Sequence, residues 1–168
     1  MESEYLLGIT HGDIALHTID QNRATALALA QQASRYIQIA TRDMDSLLYD
    51  NEPFAEALAT LARRHTKSHI DILVWDSMAA VKQGHRLINL AQRLSSFVRI
   101  RKPADEHAKY TEAFLVADGI GYMSRNLAER YEGIASFHAP LQARNLSQLF
   151  TTMWEKATPD PQLRRLNI

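Results

Sequence analysis

Two short β-rich runs, each followed by a segment of helical period, constrain this chain more than any other feature. Tyr36, Ile37 and Ile39 make the first run, which ends at Thr41-Arg42-Asp43. After Pro53 the segment 54–65 spaces Phe54, Ala57, Leu58 and Leu61 along one helical face. The second run, 70–74, is apolar but for Asp71 and stops at Trp75-Asp76. A helix is predicted over 78–94, with Val81, His85, Ile88 and the apolar residues of 90–94 facing inward. Apolar runs joined through helices read as parallel strands buried on both faces.

The rest of the chain extends this frame. Residues 20–34 are predicted helical, with Asp20 as the cap and the Ala/Leu-rich stretch 24–33 propagating the helix. Residues 5–19 read as a short strand or an arm. Three β-like runs, 97–100, 113–117 and 122–124, are separated by Pro103 and by the turn chemistry of Asp118-Gly119-Ile120-Gly121. Residues 134–138 add a last strand. In 145–156, Leu146, Leu149, Phe150, Met153 and Trp154 are spaced for a buried helix face, and Pro159 and Pro161 are expected to stop that helix. The expected fold class is α/β: a mixed sheet flanked by helices on both faces. A chain of 168 residues with no internal linker or repeat reads as one domain, 1–168, whose first 19 residues are the arm or strand.

Charge narrows the function classes. Lys plus Arg number 19 and Asp plus Glu number 19, so no global field draws the chain to nucleic acid, and anion binding must come from a local patch. With no cysteine, thiolate chemistry, disulfides and Cys-based zinc sites are excluded, and a cytoplasmic location is the expectation. The segment 1–7 carries Glu2 and Glu4 without a basic region and long apolar run, so it is read as neither leader nor anchor. No later stretch approaches the roughly 18 apolar residues of a membrane span, and no membrane partner is expected.

The order of elements over about residues 35–157, together with Phe114-Leu115-Val116-Ala117-Asp118-Gly119, resembles one lobe of the phospholipase D superfamily. The resemblance implies a signature His-x-Lys-x4-Asp followed by Gly-Ser and Asn: the His attacks phosphorus, the Lys neutralises phosphate oxygens and the Asp supports the histidines. With Asp118 as that Asp, Thr111 stands at the His position, Ala113 at the Lys position, and Arg125 and Asn126 at Gly-Ser. A His-x-Lys pair, His107-Ala108-Lys109, lies four residues too early. The chain is also similar to an uncharacterised bacterial domain found with acetyltransferase-like domains upstream. Gly84-His85-Arg86-Leu87 and the ending Pro159-Asp160-Pro161-Gln162-Leu163-Arg164-Arg165-Leu166 carry that similarity. No Gly-rich turn suited to a coenzyme A pyrophosphate accompanies it, and no cofactor is expected.

The candidate catalytic residues are therefore His107, Lys109 and Asp118. On a strand, His107 and Lys109 would share a face; the alternative is an exposed polar loop after Pro103. Asp118 before Gly119 equally satisfies a tight hairpin turn. Ligands of parallel sheets bind beyond the carboxyl ends of the strands, which puts Thr41, Arg42, Asp43 and Asp76 at one rim. Arg101 and Arg125 offer planar forks suited to phosphate, although Arg99 and Arg101 also suit a charged sheet edge. His85 reads as a core histidine or a pocket residue. Asp43, Asp45, Asp50 and Glu52 lack the spacing of a calcium loop, and His11, Asp13 and His17 lack identifiable partners, so no metal site is assigned. Arg63-Arg64-His65-Thr66-Lys67 complements a helix C-terminus, without interleaved aromatics that would suit nucleic acid.

Three functions follow. The first is a non-catalytic phospholipase D-like domain holding an anionic, phosphate-containing ligand, or serving as a scaffold, as a homodimer. The second is a metal-independent phosphodiesterase or nuclease using His107 and Lys109 across a dimer. The third is a protein-interaction adaptor.

Overall fold

A computed structural model describes residues 4–164, excluding the Arg164 side chain. Glu2, Arg165 and Leu166, which entered the reading of the two chain ends, lie outside the described residues.

The strands are β1 (Ile14–Leu16), β2 (Tyr36–Thr41), β3 (His69–Val74), β4 (Val98–Lys102), β5 (Ala113–Ala117), β6 (Gly121–Arg125), β7 (Gly133–Ser136) and β8 (Thr158–Pro159). The helices are α1 (Ile19–Gln32), α2 (Ser46–Tyr49), α3 (Glu52–Arg64), α4 (Met78–Gln83), α5 (Arg86–Arg93), α6 (Pro140–Lys156) and α7 (Pro161–Arg164). The eight strands form one sheet in the order β1-β7-β6-β5-β2-β3-β4-β8. β2, β3 and β4 are parallel and every other pairing is antiparallel. This is the expected mixed sheet. Its parallel centre comes from the two strand-helix units, because crossover helices return the chain to the same end of the sheet.

Alternation along the strands fills two cores. Ile37, Ile39, Ile70, Ile72, Leu115 and Met123 face α1, α3 and α5. Ala40, Leu73, Phe114, Val116 and Tyr122 face Phe150, Met153 and Trp154 of α6. Asp71 breaks the apolar run of β3 and is buried there, answered by Arg99 of β4 in an ion pair of 3.0 Å.

Several local expectations are corrected. Thr18, not Asp20, caps α1: its hydroxyl accepts from Gln21 N while the Gln21 side chain accepts from the Thr18 amide, a capping box. The segment 78–94 is two helices. Gly84 adopts φ +68°, closing α4 in a left-handed cap, and His85 caps α5. α6 starts at Pro140, five residues before Asn145, because proline is pre-organised for a first helical turn. Pro159 does not stop α6, which ends at Lys156; it lies in β8, paired with Arg101, and Pro161 opens α7.

Candidate functional site

Because β2 and β3 are parallel with Thr41 opposite Val74, their carboxyl ends form one rim. The loops leaving it are tied together where the Asp76 amide donates to the Arg42 carbonyl at 2.7 Å. Thr41 is buried in the strand, whereas Arg42, Asp43 and Asp76 are exposed. Each carboxylate also shapes its loop: Asp43 accepts from the Asp45 amide at 3.0 Å and Asp76 from the Met78 amide at 3.1 Å.

Beneath the rim lies a polar cluster that sequence reasoning missed. Met44 and Asp45 adopt φ +68° and +28°, a strained turn for residues other than glycine. Buried His85 holds this turn: its Nε2–H donates to the Met44 carbonyl at 3.0 Å, and Nδ1 accepts from the Leu87 amide at 3.1 Å. Both ring nitrogens are thus used by the neutral imidazole, and burial lowers the His85 pKa, opposed by Asp50 and the Met44 carbonyl. The turn delivers the Asp45 carboxylate to Arg125 at 3.1 Å, both side chains over nine-tenths buried. Tyr131 donates its hydroxyl to Asp45 at 3.2 Å, its ring lies 5.0 Å from the Arg125 guanidinium, and Arg125 also donates to the Arg130 carbonyl. Burial pushes the Asp45 carboxyl up and Arg125 pulls it back, while burial pushes the neighbouring Tyr49 hydroxyl well above its ordinary range.

His107 and Lys109 are not on a strand. Asp105–His107 is a single 3₁₀ turn, since the loop after Pro103 lies beyond the end of β4 and has no strand to pair with. The loop is nevertheless fixed at the rim. Arg42 Nη1 donates to the carbonyls of Ala108 and Tyr110 at 3.2 and 3.3 Å. Trp75 Nε1 donates to the His107 carbonyl at 2.9 Å, and its ring stacks on Tyr110 at 5.7 Å. Arg42 therefore grips the backbone on either side of Lys109. Lys109 is exposed, and His107 Nδ1 is buried without a partner among the described residues.

Thr41, Arg42, Asp43, Asp76, His107 and Lys109 thus meet at one rim, and Arg125 lies just below it, committed to Asp45. Arg101 is turned toward α6, its guanidinium 4.3 Å from the Trp154 ring and donating to the Trp154 carbonyl. Asp118 lies at the opposite edge of the sheet. β5 runs antiparallel to β2 and pairs Ala117 with Ile37, so Asp118 stands beside Tyr36, on the order of 16 Å along the strands from the rim. With φ +57° there and +68° at Gly119, this is the tight β5–β6 hairpin. The Asp118 carboxylate accepts from the amides of Ser34, Arg35 and Tyr36 and from the Ser34 hydroxyl, fixing the turn into β2. Among the described residues, no group of three or more His, Asp or Glu side chains is placed to hold a metal ion, and no helix is long and apolar enough to cross a membrane.

This sheet and its helices define an α/β domain similar to the lobes of the phospholipase D family. Nuc from Salmonella typhimurium, a member of that family, superposes with TM-score 0.61 at 11% identity, covering 87% of this chain and 97% of that one. NucT from Helicobacter pylori gives 0.61 at 12%, covering 89% and 98%. TrmBL2, an archaeal chromatin protein described with a novel mode of DNA binding, gives 0.66 at 15%; the match covers 89% of this chain but 54% of that longer one. At such identities the likeness is one of fold. In sequence the chain matches the family described as Domain of unknown function (DUF7931) over residues 18–166, and it belongs to that family. No curated protein matches it.

Proposed function

We propose that this chain is a non-catalytic phospholipase D-like domain that holds a phosphate-bearing ligand at the carboxyl rim of β2 and β3. The observation that carries the reading is the pair of Arg42 hydrogen bonds to the Ala108 and Tyr110 carbonyls, which tie the loop bearing His107 and the exposed Lys109 to the rim. Phosphate oxygens accept hydrogen bonds from such donors, and a planar guanidinium suits them. Cleavage is not expected, since Thr111 and Ala113 stand where the superfamily resemblance requires His and Lys. Asp43 and Asp76 keep the rim from being uniformly positive, which favours a singly charged diester over a more highly charged anion. By the same resemblance, a second copy is expected to complete the cleft.

Trp75 sits in the rim and reports on it. Titration with diethyl phosphate is expected to change tryptophan emission in the wild-type protein but not in Trp75→Phe. Lys109→Gln should weaken binding about tenfold, roughly one charge-assisted hydrogen bond. An emission change unaffected by Lys109→Gln and by Arg42→Gln would remove the rim as the site.

The His107-Ala108-Lys109 pair at the rim favours a second reading, a metal-independent phosphodiesterase across a dimer: His107 of one copy attacks phosphorus, His107 of the other protonates the departing alkoxide as the P–O bond breaks, water then hydrolyses the phosphohistidine, and Lys109 balances the charge on the phosphate oxygens. Turnover of a diester that persists in chelator and disappears in His107→Ala would establish it in place of the first. The DNA binding described for the archaeal chromatin protein makes nucleic acid a candidate ligand for the same rim.

A further inference from the structure

The opposite edge of the sheet carries a second basic feature that the rim does not use. In sequence, Arg64 and Lys67 need no ligand, because they lie at the C-terminus of α3, and no aromatic residue is interleaved with them. Parallel pairing changes this. It sets Tyr36 opposite His69 at the amino ends of β2 and β3, where the two rings stack at 5.3 Å and 3°. Together with Arg35, Arg64, Lys67 and Ser68 they line a concavity of about 730 Å³.

Three features make it a built site. Arg35 and Lys67 make no side-chain ion pair or hydrogen bond among the described residues, so their charges are free; Arg64 donates one bond, to the Ala33 carbonyl at 3.1 Å. The Ser68 hydroxyl is buried, the residue 3% exposed, and has no partner among the described residues, although a buried hydroxyl is costly to leave unpaired. The wall is also held rigidly: Asp118 receives the amides of residues 34–36, and the His69 amide donates to the Arg35 carbonyl at 3.3 Å. The nearby carboxylates do not cancel the cations in full. Asp118 is capped by those amides, and Asp71, 3.9 Å from His69, is paired with Arg99 at 3.0 Å.

We propose that this concavity binds a nucleotide, its phosphate held by Arg35, Arg64, Lys67 and the Ser68 hydroxyl and its base laid against the Tyr36–His69 stack. A flat aromatic surface next to a cluster of cations matches a ligand that is itself a ring joined to a phosphate. A free nucleotide and the phosphorylated end of a single strand share this chemistry.

Calorimetric titration of the full chain tests it, using AMP, adenosine, inorganic phosphate and a short 5′-phosphorylated DNA strand. AMP is expected to bind at least tenfold more tightly than adenosine or phosphate. Lys67→Gln and Ser68→Ala should each weaken AMP at least threefold without lowering the melting temperature, and Lys109→Gln at the rim should leave it unchanged. A strand that binds more tightly than AMP through the same residues identifies a strand end as the ligand; equal affinity identifies the free nucleotide. Absence of AMP binding, phosphate binding as tight as AMP, or AMP binding that responds to Lys109→Gln but not to Lys67→Gln would overturn the proposal, and only the last bears on the rim.

Discussion

Asp45 and Arg125 lie 80 residues apart in sequence and meet in a nearly solvent-free ion pair at 3.1 Å. A buried pair of this kind is worth little against a well-packed apolar substitute, but breaking it from one side strands a charge. Asp45→Ala is therefore expected to cost about 3–5 kcal/mol in urea unfolding. Asp45→Ala combined with Arg125→Met should cost clearly less than the sum of the two single changes. Additive losses would mean that the contact carries no coupling. His85 gives a pH-dependent counterpart. Burial lowers its pKa from 6.5, so the unfolded chain binds the proton more readily than the native one. The contribution of the neutral ring is complete above pH 6.5 and is lost as the pH falls below that toward the native pKa. In an NMR titration, the His85 ring should remain a neutral Nε2–H tautomer just below pH 6.5, where a solvated imidazole is already gaining its proton. Protonation of His85 at or above pH 6.5 would contradict the assigned hydrogen bonds.

At the scale of elements, Gly133 is the sharpest test of the sheet. A Cβ built there would collide with the Ser124 carbonyl oxygen of the adjoining strand. Gly133→Ala must push β7 from β6 and is expected to cost about 1–3 kcal/mol by thermal unfolding. Thr18→Ala, which removes the α1 capping box, should cost about 1 kcal/mol. The elements that were legible in sequence are those whose pattern is local. Five apolar residues ending in Asp-Gly bound β5 at 113 and 117, and the runs read for β2, β3 and α3 end within two residues of the elements. The break between α4 and α5 was not legible, because the apolar period runs on through Gly84 and only the backbone reveals its left-handed cap. β8 is not legible in sequence, because a two-residue strand holding Pro159 has no period. The rim followed from the rule for strand ends, while the Asp45–Arg125–Tyr131 cluster depends on long-range pairing that no spacing encodes.

For the whole molecule, one sheet presents two chemically different edges. The carboxyl rim gathers Arg42, His107 and Lys109 beside Asp43 and Asp76, and the amino edge gathers Arg35, Arg64 and Lys67, so a chain of zero net charge carries a mixed-charge rim at one end of the sheet and a cluster of cations at the other. Pairing of two copies across the rim predicts a scattering mass of twice the chain mass, lowered toward one by a charge-reversing Lys109→Glu. A strict monomer at high concentration would oppose it. The claim that the rim holds phosphate without cleaving it is tested most directly by following one phosphodiester with ³¹P NMR in the presence of chelator. Broadening of the diester signal that Lys109→Gln reverses, with no product signal over days, is the predicted result. A product signal that His107→Ala abolishes would contradict it and make this chain an enzyme.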